Sequence, residues 1–199
     1  MPTLYVLAGP NGAGKTTFYQ QSVSEGFISK ELPFVNVDLI ARDLPGGYTE
    51  VNFTLAAERA RQQISDLIST GKSFMIESNL AKEADYKWLE NMKKAGYELI
   101  LYFLSTNDIL INIDRVERRV KEGGHFIPPH IVTDRYKMCL LYLRTKLDLF
   151  EEAHLIDNSS ETIETIALLK GNRIVFKQAS PPSWASDILT FAQRLSKRN

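Results

Sequence analysis

Residues 4–17 read LYVLAGPNGAGKTT: an apolar run from Leu4 to Ala8, three glycines within six residues, then a lysine and two threonines. Such a stretch folds as strand, turn and helix, and the turn is the tightest constraint in the chain. Gly9, Gly14, Lys15 and Thr16 fill the pattern G-x-x-x-x-G-K-[ST]. Its glycines tolerate dihedrals that let successive backbone N–H groups point inward, and the positive end of the following helix dipole closes the ring. The expected lining is Gly9, Pro10, Asn11, Gly12, Ala13, Gly14, Lys15, Thr16 and Thr17. A nucleoside triphosphate with its Mg²⁺ is the matching ligand; the turn touches phosphates alone and leaves the base open. Lys15 would reach the β- and γ-phosphates, and the Thr16 hydroxyl would ligate the Mg²⁺.

Beyond that turn, strands and helices alternate. The spacing predicts a helix from Lys15 to Glu25, a strand over PFVNVD ending near Asp38, and a helix over 50–70 stopped by Gly71. A buried strand SFMIES, a helix over 82–95 and the apolar strand YELILYFLS follow. Two helices over 107–122 and 128–150 enclose GGHFIPP; then come a fifth strand AHLIDNS, hairpin arms TIALLK and RIVFK around KGN, and a last helix announced by SPPSW. Alternation of this kind forces a parallel sheet with right-handed crossovers, whose ligands collect at the carboxyl ends of the strands. The fold class is therefore α/β, with a central, mostly parallel five-stranded sheet, plus a C-terminal hairpin and helix. At 199 residues the chain suits one domain, 1–199, with a lid over about 107–136.

Lysine plus arginine and aspartate plus glutamate each number 24, so no net positive field draws the protein to nucleic acid or to an anionic membrane. A small-molecule substrate fits better than either. No apolar run reaches the ~20 residues of a membrane span and no signal-peptide pattern opens the chain, so a cytoplasmic location is expected. The lone Cys139 sits among Met138, Leu140 and Leu141 and reads as a core residue.

Asp38 follows FVNV and so projects from a strand end beside the turn, where it either caps a helix or takes a proton from an acceptor hydroxyl. Glu77 ends FMI in the same manner, as a metal or substrate ligand or as a partner for Lys15. Asn36 and Arg42 flank Asp38 as candidate substrate contacts. Phosphoryl transfer spreads charge over the γ-phosphate oxygens, which planar guanidinium groups offset. Arg115 and Arg119 lie four apart along the border of the apolar stripe Ile109, Ile113, Val116 and Val120, and Arg135 borders the next stripe, Val132, Tyr136, Cys139, Leu143 and Leu147. Arg118 faces away and reads as a surface residue. Gly123 and Gly124 serve as a helix stop or as the hinge of a closing lid, on which His125 is a hydrogen-bonding residue.

Together GPNGAGKTT, NVDLIARDL, FMIES and RVERRVKEGGHFIPPHIVTDRY resemble the zeta-toxin family of P-loop kinases, over residues 9–136. The resemblance implies a three-layer α/β/α P-loop NTPase fold of kinase type with strand order 2-3-1-4-5, Asp38 as the catalytic aspartate, Glu77 as an acidic position ending the third strand, and Arg119 with Arg135 as phosphate-binding arginines; Arg115 is the alternative to Arg119. Characterised members phosphorylate the 3'-hydroxyl of the sugar in UDP-N-acetylglucosamine and are restrained by a small antitoxin protein. The GGH lid is typical of a stand-alone branch described as predicted ATPases. The expected activity is ATP-dependent phosphorylation of a hydroxyl on a small metabolite, with a UDP-sugar among the acceptors. The alternative is a nucleotide-hydrolysing switch that signals to a partner, and the balanced charge weighs against a third reading, a nucleic-acid end kinase.

Overall fold

Leu4, Val6, Leu7 and Ala8 are all fully buried, because β1 (Thr3–Ala8) is a central strand covered on both faces. In the computed structural model, which describes residues 1–171 and 173–196, it pairs in parallel with β3 (Phe74–Ser78) on one side and β4 (Glu98–Ser105) on the other. Outside these lie β2 (Phe34–Val35) next to β3 and β5 (Glu152–Asp157) next to β4, both parallel. The five strands run in the order 2-3-1-4-5, as the resemblance implies, and the glycine turn leaves the carboxyl end of the middle strand.

Helices α1 (Lys15–Ser24), α2 (Val37–Arg42), α3 (Glu50–Ser69), α4 (Glu83–Lys94), α5 (Ile109–Lys121), α6 (Pro129–Lys146) and α7 (Ser183–Ser196) connect and cover the sheet. On one face Leu99, Leu101 and Phe103 pack with Tyr86 and Leu89 of α4, Cys139 and Leu143 of α6, and Trp184 and Ile188 of α7. On the other face Leu7, Met75, Leu104 and Ile156 meet Phe18 and Tyr19 of α1. The result is three layers, α/β/α. Cys139 is fully buried, and burial pushes its thiol up to about 12. A separate small cluster, Val116, Ile127 and Val132 with Ile109 and Ile113, ties α5 to α6 away from the sheet.

Three expectations need correction. The sheet has seven strands instead of five, because the C-terminal hairpin adds to it: β6 (Glu164–Lys170) pairs antiparallel with β5, and β7 (Arg173–Lys177) with β6. Ala167 and Leu169 stand opposite Leu155 and Ala153, so the hairpin covers what would otherwise be an apolar edge. The turn residue Asn172 lies outside the described residues. The second strand ends at Val35, well before Asp38, since the Asn36 side chain accepts the Leu39 N–H at 3.1 Å and starts α2. The helix drawn to residue 150 ends at Lys146 and tightens into a 3-10 turn over Leu147–Leu149.

Candidate functional site

The turn after β1 closes at Gly14, whose left-handed φ of 91° starts α1 at Lys15. Gly12 has a φ of 77°, and a Cβ there would stand 2.3 Å from the Asn112 carbonyl oxygen; one at Gly14 would stand 2.2 Å from Asn158 Nδ2. Both positions demand glycine on two counts, dihedral and space. Lys15 is only 6% exposed, and its Nζ donates to the carbonyls of Gly9 (2.8 Å) and Pro10 (3.1 Å) and to Asn79 Oδ1 (3.3 Å).

Glu77 gathers the groups around this ammonium. Its Oε1 lies 3.6 Å from Lys15 Nζ, and its Oε2 accepts from Thr16 Oγ1 at 3.4 Å and from Asn36 Nδ2 at 2.6 Å. The β1–β3 register makes this meeting unavoidable: Ala8 stands opposite Ser78, so Glu77 emerges beside the turn. Asp38 sits in the first turn of α2, where a carboxylate is favoured by the helix dipole.

Two cavities open at this edge of the sheet. One, of about 290 Å³, lies over Gly12, Gly14, Lys15, Thr16 and Thr17 and is roofed by Arg115 and Arg119. The other, of about 480 Å³, is walled by Asn36, Phe53, Asn79, Lys82, His125 and Arg135. Asn11, Asp38 and Glu77 line both.

The arginines divide by environment. Arg119 Nη2 donates to the His125 carbonyl at 3.3 Å, while its buried Nε has no hydrogen-bond partner among the described residues. Arg115 reaches the Gly12 carbonyl at 3.5 Å, and desolvation lowers its pKa. Arg135 donates to Asn11 Oδ1 at 2.9 Å, which ties α6 to the turn. Arg118, expected to face away, pairs with Asp114 at 2.9 Å and also reaches the lining of the smaller cavity. Arg42 is not brought into either cavity lining; it is exposed and pairs with Asp43 at 2.8 Å. The His125 ring packs on aromatic rings, 4.3 Å from Phe53 and 6.0 Å from Tyr48, and desolvation lowers its pKa against the opposing pull of Asp38.

Sequence reasoning missed four contributors, Asn79, Phe53, Asn112 and Asn158. Asn112 lies just outside the arc that Ile109, Ile113 and Val116 define, on the Arg119 side, so a polar residue bordering the apolar stripe of an amphipathic helix was its only signal. Asn158 follows the carboxyl end of β5, where this sheet class collects ligands.

No protein-family model matches the chain. An uncharacterized protein of Haemophilus influenzae is 29% identical over 131 residues, spanning 64% of this chain and 88% of that one. Among solved structures, the AvrRxo1-ORF1:AvrRxo1-ORF2 complex with sulphate ions contains a chain similar to this one, with a TM-score of 0.68 at 15% identity over 98% of this chain and 76% of that one. The same complex has been solved with ATP. A structure of the PezAT chromosomal toxin–antitoxin system of Streptococcus pneumoniae matches with a TM-score of 0.59 at 15% identity, over 100% of this chain and 87% of that one. The fold is thus shared with these solved structures along nearly the whole chain.

Proposed function

We propose that the protein is an ATP-dependent phosphotransferase of the zeta-toxin kind, which moves the γ-phosphoryl group to a hydroxyl of a small metabolite, with a UDP-sugar among the acceptors. The observation that carries this reading is the pair of adjoining cavities with Asp38 and Glu77 in the shared wall. A phosphate donor in the smaller cavity and an acceptor in the larger would meet at Asp38. There the carboxylate accepts the hydroxyl proton as the oxygen attacks phosphorus and ADP leaves.

In this reading the turn amides and Lys15 hold the triphosphate, and Arg119, with its unpartnered Nε, and Arg135 offset the transferred charge. Arg115 borders the same cavity beside the nucleotide, while His125 and Asn36 border the acceptor. Thr16 Oγ1 and Glu77 Oε2 form an oxygen pair of the type a hard cation accepts. Mg²⁺ bound there with the nucleotide supplies neutralisation of phosphate charge. Helices α5 and α6, with their own small core, serve as the lid. The ATP complex of AvrRxo1-ORF1:-ORF2 supports ATP as the donor, and PezAT, a toxin–antitoxin system, supports a protein partner that restrains the activity.

The test is incubation with γ-¹⁸O-labelled ATP and a cell-metabolite extract, followed by mass spectrometry. A new metabolite carrying the labelled phosphoryl group is expected. Release of labelled inorganic phosphate alone would favour the hydrolysing switch.

A further inference from the structure

Two buried side-chain amides touch the glycine turn from the side away from the cavities. Asn112, fully buried in α5, donates from Nδ2 to the Asn11 carbonyl at 2.7 Å. Asn158, 8% exposed just after β5, donates from Nδ2 to the Ala13 carbonyl at 2.8 Å. The Thr106 hydroxyl contacts Asn112 Oδ1, and the Thr106 carbonyl accepts from Tyr136 of α6 at 2.6 Å, so the first amide is itself braced. An amide buried this deeply is costly unless bonded, and both are spent on main-chain oxygens of the turn.

The consequence follows from peptide geometry. A trans peptide is planar, with C=O and the following N–H pointing in opposite directions. Holding the Asn11 oxygen outward turns the Gly12 N–H inward, and holding the Ala13 oxygen outward does the same for Gly14. Glycine restrains these planes least of all residues, so a turn rich in it needs an outside hold to keep its donors aimed. The missing Cβ atoms at Gly12 and Gly14 are also what allows Asn112 and Asn158 to approach.

We infer that Asn112 and Asn158 are positioning residues for the triphosphate: each fixes one peptide plane of the turn, so that the Gly12 and Gly14 amides meet phosphate oxygens already oriented. This rests on the phosphate-binding reading above. Preorganised donors cost no rearrangement at binding, and that is where their contribution appears.

The assignment is crossed, which makes it testable by ¹H–¹⁵N spectra of the full chain titrated with inorganic tripolyphosphate. In the wild type, the Gly12 and Gly14 amide signals both shift downfield. In Asn112→Ala the Gly12 shift shrinks and the Gly14 shift persists; in Asn158→Ala the pattern reverses. Each variant binds tripolyphosphate about tenfold more weakly, the scale of one hydrogen bond. Where Asn112→Ala does not fold, Asn112→Asp keeps the size, removes the donor and takes its place. Wild-type shifts and affinity in both variants, or equal loss at both amides in each, overturn the positioning roles while the phosphate site stands. A wild type whose Gly12 and Gly14 signals ignore tripolyphosphate overturns that site as well.

Discussion

Asp38 owes its place to Asn36. The capping bond from the Asn36 side chain turns the chain into α2 after two strand residues, and the first turn of that short helix then faces both cavities. Removing a general base costs about 10²–10⁴-fold in rate, so Asp38→Ala is expected to lower kcat by that factor while ATP affinity stays within about twofold. Turnover assays with calorimetric titration check it, and full activity removes Asp38 from the chemistry. Arginine substitutions separate in the same assay. Arg119→Ala is expected to lose about 10³-fold in kcat, and Arg42→Ala, an exposed partner of Asp43 outside both cavity linings, to stay within about twofold. The glycine turn was legible because its parts are consecutive in the chain. Asn112 and Asn158 were not, since the carbonyls they hold lie 101 and 145 residues away.

Among the elements, α2 escaped sequence reading because six residues starting at an Asn cap, with Val35 and Val37 alternating across it, mimic a strand. The pair α5 and α6 was legible: Ile109, Ile113 and Val116 mark one face, Gly123 and Gly124 follow the last turn, and Pro129 opens the next helix. What periodicity does not show is where the connecting loop lands. His125, read from the sequence as a hydrogen-bonding lid residue, reaches the α2–α3 side and packs on Phe53 and Tyr48. Desolvation, joined by Arg119 and Arg135 and opposed by Asp38, holds its pKa below the ordinary 6.5. A histidine lowered in the folded state binds fewer protons than in the unfolded chain across the interval between its folded pKa and 6.5, so stability rises with pH there. The contribution is fully present above 6.5 and is lost as pH falls through that interval. Urea unfolding at a series of pH values should show this loss in the wild type and a shallower one in His125→Gln; identical profiles would contradict it.

Across the whole molecule, alternation of strands and helices made the five parallel strands readable, whereas the docking of the hairpin depends on which buried edge is left over, a non-local outcome. That docking, with α7, braces the site from behind. Trp184 is buried at the start of α7 and donates to Asp157 Oδ2 at 2.7 Å, and Asp157 Oδ1 accepts from the Ser159 N–H, so the segment carrying Asn158 is held on both sides. Trp184→Ala is expected to cost about 3–5 kcal/mol in urea unfolding and to weaken nucleotide binding with it. Among the described residues no helix is long and apolar enough to cross a membrane. The most direct measurement is calorimetric titration of the purified chain with ATP and Mg²⁺, set beside Lys15→Ala. One-to-one binding in the wild type, weakened about 10–100-fold by loss of the ammonium, is the predicted result. Absent binding, or equal affinity in both proteins, would contradict the account.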